Sequence, residues 1–509
     1  MIKKQVTLIV VLAVIFAALI CVYFFIVAPL TADDEEEDTD IETLADEGSE
    51  YGAYLLMFEH VERAEMQSIE VKNDYGTYKF VRDEDDDFVL EGYENLAYDE
   101  ELFSELVVAA GMSICLSRLT TDPTEEELET YGFTGTDDEG NEVDPSYYIV
   151  TTTEGVEHKV IIGRRILSSG GYYAMYEGRN TVYVLSSYSS IEETLLAPVT
   201  DLISPILTAG LSTTSYYLID NFSIQHYGEE FISCRTLTDE EQEEEESTAI
   251  VSFKSIYPAE YPLSTNYDTV LQTLCYYTGE SVVALDLSDE NMETYGLSDA
   301  PYTITYDMSS YTYTLIASEL TDDGYYYIST SLFNVIIKVP AADFEFLSYS
   351  LLDWIDVNVF GRNITYVSTL EVYSPSFSET FRLTHYEDED PNLVVIGDEC
   401  GEIDDVYNFR QLYVTLLLMQ VEDEVANDTY APDDIESIIT EDNLVASFTV
   451  TTIGGNVTEY AFYRYSTRHC LLTINGSGQF YVIIDTPNKI ISDAYKVAIG
   501  EEVDGYAKN

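Results

Sequence analysis

Histidine often supplies metal ligands and acid–base groups, and the chain has five in 509 residues, namely His60, His158, His226, His385 and His469. They are scattered, and none lies at metal-ligand spacing from a glutamate or a second histidine. His158 stands beside Glu157 in a predicted strand, where a half-exposed strand residue is the simpler interpretation. The histidines therefore predict no metal site.

The cysteines are equally dispersed. Beyond Cys21 in an apolar N-terminal segment, they are Cys115, Cys234, Cys275, Cys400 and Cys470, with no Cys-x-x-Cys motif. Five is an odd number, so a complete disulfide framework is impossible. Cys115 and Cys275 fall in comparable helical segments and are predicted to be small buried apolar residues.

Carboxylates do not identify a catalytic pair, because a chain with 95 Asp and Glu residues has some pair at any separation a glycosidase needs. No serine-nucleophile elbow, phosphate loop or dinucleotide fingerprint occurs. We therefore predict a protein that is not an enzyme, with no cofactor and no small-molecule substrate.

Tyrosine is the remaining candidate for a functional surface. The chain has 44 tyrosines, including the runs Tyr172-Tyr173, Tyr216-Tyr217 and Tyr325-Tyr326-Tyr327. Aromatic strand faces can bind glycans or partner proteins, but tyrosine also favours half-buried strands for packing reasons. The single tryptophan, Trp354, argues against a sugar platform. Packing is the favoured interpretation.

The charge balance limits the partners. With 22 Lys and Arg against 95 Asp and Glu, the formal net charge is −73. Such a surface repels nucleic acid and anionic lipid, which bind basic surfaces. The simplest interpretation is solubility in a cation-rich extracytoplasmic setting, and a specific cationic partner is the alternative.

One hexapeptide occurs twice and organises the rest of the chain. Leu-Glu-Thr-Tyr-Gly-Phe at 128–133 returns as Met-Glu-Thr-Tyr-Gly-Leu at 292–297. Each copy follows a helical segment and leads through a proline into Tyr- and Thr-rich strands. We treat these residues as a repeat signature and expect both glycines to follow their helices at positions where a side chain would be strained. The signature residues are Tyr131, Gly132, Pro145, Tyr295, Gly296 and Pro301.

The N-terminus is predicted to be a membrane anchor. Residues 6–30 contain no charge and would form a helix of about 37 Å, enough to cross a hydrocarbon core of about 30 Å. Lys3 and Lys4 in the tip at 1–5 predict a cytoplasmic N-terminus with the bulk of the chain outside. A cleaved signal peptide is less consistent, because its apolar region is normally about 7–15 residues.

An acidic linker is predicted at 31–50. Residues 33–50 carry eleven acidic side chains and no basic one, which favours an extended, self-repelling stalk. A calcium-binding loop is a more specific alternative for this segment, but the segment lacks the spaced Asp or Asn with a central glycine that such a loop uses.

From Met66 onward one order of elements recurs three times: a hairpin, a helix, a turn and two further hairpins. In the first pass the strands are 68–72, 77–81, 147–153, 156–162, 172–176 and 181–185, with helices near 102–110 and 190–203, the second of which is broken at Pro198. We predict an α+β fold of three tandem related units, at 51–205, 210–358 and 359–509, of which the third is diverged and has 435–443 in place of the signature.

This order resembles the family called domain of unknown function 4340, whose hairpins carry an Ile-Gly step and a Val-Tyr-Val strand. Ile162-Gly163 and Val182-Tyr183-Val184 match that pattern in the first unit, and Ile316-Ala317 and 335–339 match it loosely in the second. The resemblance implies a membrane-anchored extracytoplasmic protein of the bacterial cell envelope. It also implies a gene beside components of a gliding-motility-type ABC transporter, and it supplies no catalytic residues.

Two functions therefore stay open. The first is a non-enzymatic accessory protein of a membrane transport or surface complex, with an ABC transporter permease or ATPase as partner. The second is a cell-surface module that binds cell-wall glycan or a protein ligand.

Overall fold

The computed structural model describes residues 47–51, 54–136, 140–167, 170–186, 190–208, 210, 212–244, 252–386, 393–432 and 434–504. These residues form two compact units. One contains the described residues up to Arg82 and from Ser104 to Leu196, and the other contains Asp83–Phe103 and the described residues from Ala197 onward.

The first sheet is antiparallel and has ten strands in the order β1-β2-β6-β10-β9-β8-β7-β3-β4-β5. The strands are β1 Gly48–Tyr51, β2 Tyr54–Leu56, β3 Met66–Asn73, β4 Gly76–Arg82, β5 Phe88–Leu90, β6 Ile114–Thr121, β7 Ser146–Thr152, β8 Glu157–Arg165, β9 Tyr172–Tyr176 and β10 Thr181–Leu185.

The second sheet has eight strands in the order β13-β12-β11-β15-β16-β17-β18-β14. The strands are β11 Ile219–His226, β12 Glu229–Thr236, β13 Phe253–Tyr257, β14 Ser281–Ala284, β15 Tyr302–Met308, β16 Tyr311–Ala317, β17 Tyr325–Thr330 and β18 Ile336–Pro340.

The third sheet has nine strands in the order β22-β21-β20-β19-β24-β25-β26-β27-β23. The strands are β19 Val367–Ser374, β20 Phe377–His385, β21 Leu393–Gly397, β22 Gly401–Glu402, β23 Asp423–Glu424, β24 Leu444–Thr452, β25 Val457–Arg464, β26 His469–Ile474 and β27 Phe480–Ile483.

The α-helices are short. They are α1 Glu100–Gly111, α2 Glu125–Tyr131, α3 Asp239–Glu244, α4 Asn266–Cys275, α5 Asp289–Thr294, α6 Leu351–Trp354, α7 Val406–Leu417 and α8 Asp485–Ile499. Several connections are 3₁₀ segments, including Val199–Leu202, Ala341–Ser348 and Ile435–Ile438.

One strand order recurs in all three sheets. A hairpin (β3–β4, β11–β12 or β19–β20) pairs through its first strand with a four-stranded meander (β7–β10, β15–β18 or β24–β27). The strand that follows the long helix of each segment (β6, β14 or β23) pairs with the last strand of the meander. The unit boundaries at 51–205, 210–358 and 359–509 stay a prediction, because a shared strand order does not fix where a unit ends.

The predicted fold class, a transmembrane helix followed by three α+β units, is wrong. The described residues form mainly large antiparallel sheets with few helices. The helix predicted at 190–203 with a break at Pro198 does not form: the residues before Pro198 form turns, and those after it form the 3₁₀ segment Val199–Leu202. The segment before the third sheet forms the 3₁₀ segment Ala341–Ser348 and the four-residue helix α6.

The predicted anchor at 6–30 and most of the linker at 31–50 lie outside the described residues. Among the described residues, no helix is both long and apolar enough to cross a membrane. The end of the predicted linker differs from the expectation, because Gly48–Tyr51 forms strand β1 and pairs with β2.

In the second compact unit, the second sheet packs on aromatic side chains from the 3₁₀ segment Ala341–Ser348 and from α6. Trp354 is fully buried, with its ring centroid 5.7 Å from that of Phe222 on β11.

The third sheet is covered by α7 and α8, which are joined through buried Asp493. The Asp493 carboxylate accepts hydrogen bonds from Thr415 Oγ1 on α7 and from Lys489 Nζ on α8, each at 2.8 Å.

In the first compact unit, a buried carboxylate ties the residue before β1 to the sheet. The Glu47 side chain is fully buried and forms an ion pair with Arg118 on β6. Its Oε1 accepts a hydrogen bond from Arg118 Nε at 2.7 Å and another from the Tyr183 hydroxyl at 2.8 Å. Burial is the largest cause that raises the pKa of Tyr183 to about 12, so its hydroxyl remains a donor at neutral pH.

We expect Glu47→Gln to destabilise this sheet by about 3 kcal/mol, because it leaves the Arg118 guanidinium without its charge partner in a largely buried place. Urea unfolding followed by circular dichroism measures the change. Glu154→Gln, in the exposed turn between β7 and β8, is the matched control and should change stability by less than about 0.5 kcal/mol. Equal effects of the two variants would contradict the role of Glu47.

Candidate functional site

The two signature turns have the same backbone hydrogen bonds. After α2, Gly132 N donates to Glu129 O at 3.2 Å and Phe133 N to Leu128 O at 2.9 Å. After α5, Gly296 N donates to Glu293 O at 3.2 Å and Leu297 N to Met292 O at 2.7 Å. This pair of bonds is the Schellman motif, in which a left-handed residue ends the helix.

Both glycines have the left-handed conformation expected from the sequence, with φ of 82° at Gly132 and 70° at Gly296. The two positions at which the hexapeptides differ are also explained. Leu128 and Met292 occupy the third helical position from the end, and Phe133 and Leu297 occupy the second position after the helix. These two positions form the hydrophobic contact of the motif and need only be apolar.

The surroundings of the glycines differ. A methyl group at Gly132 would overlap Cγ of Arg164, which lies directly over the turn. At Gly296 the nearest atom to such a methyl group would be Ser318 Cβ, at 3.7 Å, an ordinary contact distance. The first turn is therefore covered by an arginine side chain and the second is open.

Strand register places the two turns at equivalent positions. The first residue of β7, Ser146, pairs with Ile162, which pairs with Ala174. The first residue of β15, Tyr302, pairs with Ala317, which pairs with Ile328.

This register corrects one sequence match. Because Ile162 is equivalent to Ala317, Gly163 is equivalent to Ser318, so the pairing of Ile162-Gly163 with Ile316-Ala317 is displaced by one residue. The backbone explains Gly163, because a methyl group there would overlap the carbonyl oxygen of Tyr131.

Each signature tyrosine packs on the equivalent strand tyrosine. The ring centroids of Tyr131 and Tyr173 on β9 are 4.6 Å apart, and those of Tyr295 and Tyr327 on β17 are 4.8 Å apart. Tyr173 and Tyr327 are equivalent in register. Tyr173 directly precedes Ala174, which pairs with Ile162, and Tyr327 directly precedes Ile328, which pairs with Ala317. Tyr295 also donates a hydrogen bond from its hydroxyl to Val283 O at 3.0 Å.

The signature prolines stand one residue before the first strands of their meanders, Pro145 before β7 and Pro301 before β15. Proline lacks an N–H group and suits the position just outside a ladder. The carbonyl of Pro301 accepts a hydrogen bond from Tyr227 N at 2.7 Å, which brings the β11–β12 hairpin turn against the signature turn.

Tyr295, Gly296 and Pro301 line one cleft of 480 Å³, which we call the signature cleft. Its opposite wall consists of residues 318–321 and Tyr327. Three exposed carboxylates lie on the cleft, those of Glu293, Asp299 and Glu319. The Tyr227 hydroxyl donates to Glu319 Oε1 at the rim.

In the third sheet a different structure replaces the signature, at the place predicted from the sequence. The 3₁₀ segment Ile435–Ile438 packs through Ile438 on Leu471, which has the register position of Tyr173 and Tyr327. Beside it, the Asp428 carboxylate accepts bonds from the Tyr465 hydroxyl at 2.7 Å and from His469 Nδ1 at 2.5 Å. Burial opposes ionisation of Asp428, but these bonds outweigh it and lower its pKa.

The remaining histidines mainly pack against aromatic rings or the backbone. His158 stacks on Phe58 at 4.4 Å, and burial lowers its pKa. His226 stacks on Phe231 at 4.1 Å, also with a pKa lowered by burial. His385 Nε2 lies 2.8 Å from Val367 O. Within the described part of the chain, no group of three or more His, Cys, Asp or Glu residues is placed to hold a metal ion.

The five described cysteines are free. Cys115 and Cys275 are buried, as expected from the sequence, but Cys115 lies in strand β6 and only Cys275 lies in a helix; Cys234 and Cys470 are also buried. Burial and the nearby carboxylate of Glu379 raise the pKa of the less buried Cys400 to about 11, which keeps its thiol protonated. No thiol here has the lowered pKa of a nucleophile.

The tyrosines divide into two groups. Tyr148, Tyr183, Tyr261 and Tyr306 are fully buried, which fits the packing interpretation. Others lie exposed at turns, where sequence periodicity gave no distinct signal. Examples are Tyr75 at the β3–β4 turn, Tyr227 at the β11–β12 turn and Tyr311 at the β15–β16 turn, with exposed fractions of 69, 71 and 68 %.

Comparison with known proteins adds no assignment: no family model, curated protein or solved structure matches the chain. The resemblance to the domain of unknown function 4340 family therefore stays a prediction.

We expect Gly296→Ala to cost about 1 kcal/mol, the typical penalty for a side chain in the left-handed region, because the site has room for a methyl group. Gly132→Ala should cost more, because the methyl group also displaces Arg164. Urea unfolding measures both changes. Combining Gly132→Ala with Arg164→Ala should reduce the excess, and an unchanged excess would refute the steric explanation.

Proposed function

We propose that this chain is a non-enzymatic, extracytoplasmic accessory protein that works at the cell membrane, in contact with an ABC-type transport or surface complex. The observation that carries the proposal is the signature cleft, an open recess that gathers the repeat signature, an aromatic pair and three carboxylates. Such a surface suits recognition of another molecule.

The exposed aromatic residues around the cleft support a contact role. The exposed Tyr227 donates a hydrogen bond to Glu319 in the cleft wall, and Leu320 in the same wall is 52 % exposed. Exposed tyrosines contribute strongly to protein interfaces, because a large rigid ring buries much area at little entropic cost. The net charge of −73 favours a basic partner and disfavours nucleic acid.

The transporter is the partner that the family resemblance implies. A membrane-bound complex offers an accessory protein a fixed target, and a sheet-rich body of this size has enough surface for a stable interface. The permease and the ATPase are the proposed members of that complex.

A surface module that binds cell-wall glycan or a protein ligand is the second candidate. The observation in its favour is the volume of the signature cleft, 480 Å³, which lies in the usual range of small-ligand sites.

We expect crosslinking and affinity capture from native membrane to recover a transporter permease or ATPase with the full chain. Tyr227→Ser should lower the recovery several-fold, because it removes an exposed aromatic residue at the cleft rim. Tyr430→Ser, which removes a tyrosine of similar exposure elsewhere, is the matched control. Recovery of no transporter component, together with binding to purified cell wall, would favour the second candidate.

A further inference from the structure

The signature cleft carries negative charge that the protein does not neutralise. Glu293, Asp299 and Glu319 line it, and none of the three forms an ion pair with a lysine or arginine of the described residues. The neighbouring lysine, Lys338, is instead bound to Glu280 at 3.1 Å and lies 3.6 Å from the centroid of the Tyr325 ring. As far as the described residues show, the cleft is therefore an acidic recess without a lysine or arginine in its lining.

The cleft also offers aromatic surface. Tyr295 and Tyr327 both line it, with their rings at an interplanar angle of 62°. A cation near a tyrosine ring is attracted by the ring quadrupole, and carboxylates beside the ring add to that attraction. Lys338 on Tyr325 is an example of this contact within the same sheet.

The residue at the position of Glu319 can be compared across the three sheets. The register that equates Ile162 with Ala317 also equates both with Phe462 on β25, since Phe462 pairs with Ala446 and Leu472. Two residues further along the chain stand Arg164 in the first sheet, Glu319 in the second and Arg464 in the third. The pairing of β8 with β9 slips by one residue between Ile162 and Arg165, so the position in the first sheet is that of Arg164 or Arg165, and both are basic. The second sheet therefore has the opposite charge at a position that is basic in the other two.

The first sheet shows the consequence of a basic residue at this position. The aliphatic part of the Arg164 side chain lies directly over the Gly132 turn. In the second sheet, apart from the chain neighbours of Gly296, Ser318 Cβ is the only atom of the described residues within 4 Å of the position that a Cβ of Gly296 would take. A long cationic side chain is thus the group that this kind of turn accommodates.

We propose that the signature cleft binds a lysine or arginine side chain presented by a basic segment of a partner protein. The ammonium or guanidinium group would lie between Glu319 and the Tyr295–Tyr327 pair, and its aliphatic stem over Gly296, as the Arg164 stem lies over Gly132. This inference rests on the proposed function, since it names the part of the partner that the cleft recognises.

The test is a binding titration of the purified full-length chain with N-acetyl trilysine amide at physiological salt. We expect Glu319→Arg to weaken binding about tenfold or more, because it removes one carboxylate and introduces the side chain that covers the turn in the first sheet. Glu345→Arg is the matched control, since it makes the same change in net charge at an exposed residue outside the cleft. It should change the dissociation constant less than twofold.

Equal weakening by Glu319→Arg and Glu345→Arg would overturn the inference, because diffuse attraction to an acidic protein would then explain the binding. Calcium binding at lower concentration than trilysine, lost in Glu319→Arg, would overturn it in favour of a metal ion. No measurable binding of trilysine to the unaltered chain would also overturn it. The titration contains no membrane component, so its failure leaves the transporter contact to be decided by the capture experiment, and the reverse also holds.

Discussion

The pairing of the first hairpin strand with the first meander strand fixes most of this structure. Ile69 pairs with Val150, Phe222 with Tyr306 and Leu370 with Val450, each four residues before the hairpin turn. Because side chains alternate between the faces of a strand, a shift of one residue would expose each buried set. Because this register is the same in the first and second sheets, the two signature turns lie at equivalent positions along the strands.

The turn chemistry could be read from the sequence because it is local. A Tyr-Gly pair after a helical segment predicts a left-handed end, and Gly132 and Gly296 both have it. The hairpin strands could also be predicted from the sequence, because runs rich in Tyr, Thr and Val alternate with turn residues. These features depend on interactions within a few residues.

The fold class and the cleft depend on pairing across long separations, which explains why they were missed. The pattern at 190–203 predicts a helix broken at Pro198, but the residues before Pro198 form turns and those after it form the 3₁₀ segment Val199–Leu202. The cleft requires Tyr295 to meet Tyr327 and Pro301 to meet Tyr227. In a chain with 44 tyrosines, no local pattern distinguishes these contacts from others.

Related positions in repeated sheets can therefore separate structure from function. The glycines and the tyrosine pairs are shared by the first and second sheets, and a common requirement for folding accounts for them. The charge of residues 164, 319 and 464 follows no such requirement, because an exposed glutamate and an exposed arginine are both compatible with the end of a strand. Folding thus fixes the turn, whereas the charge beside it differs between the sheets. Glu319 accepts a hydrogen bond from the Tyr227 hydroxyl, and its carboxylate has no lysine or arginine partner among the described residues.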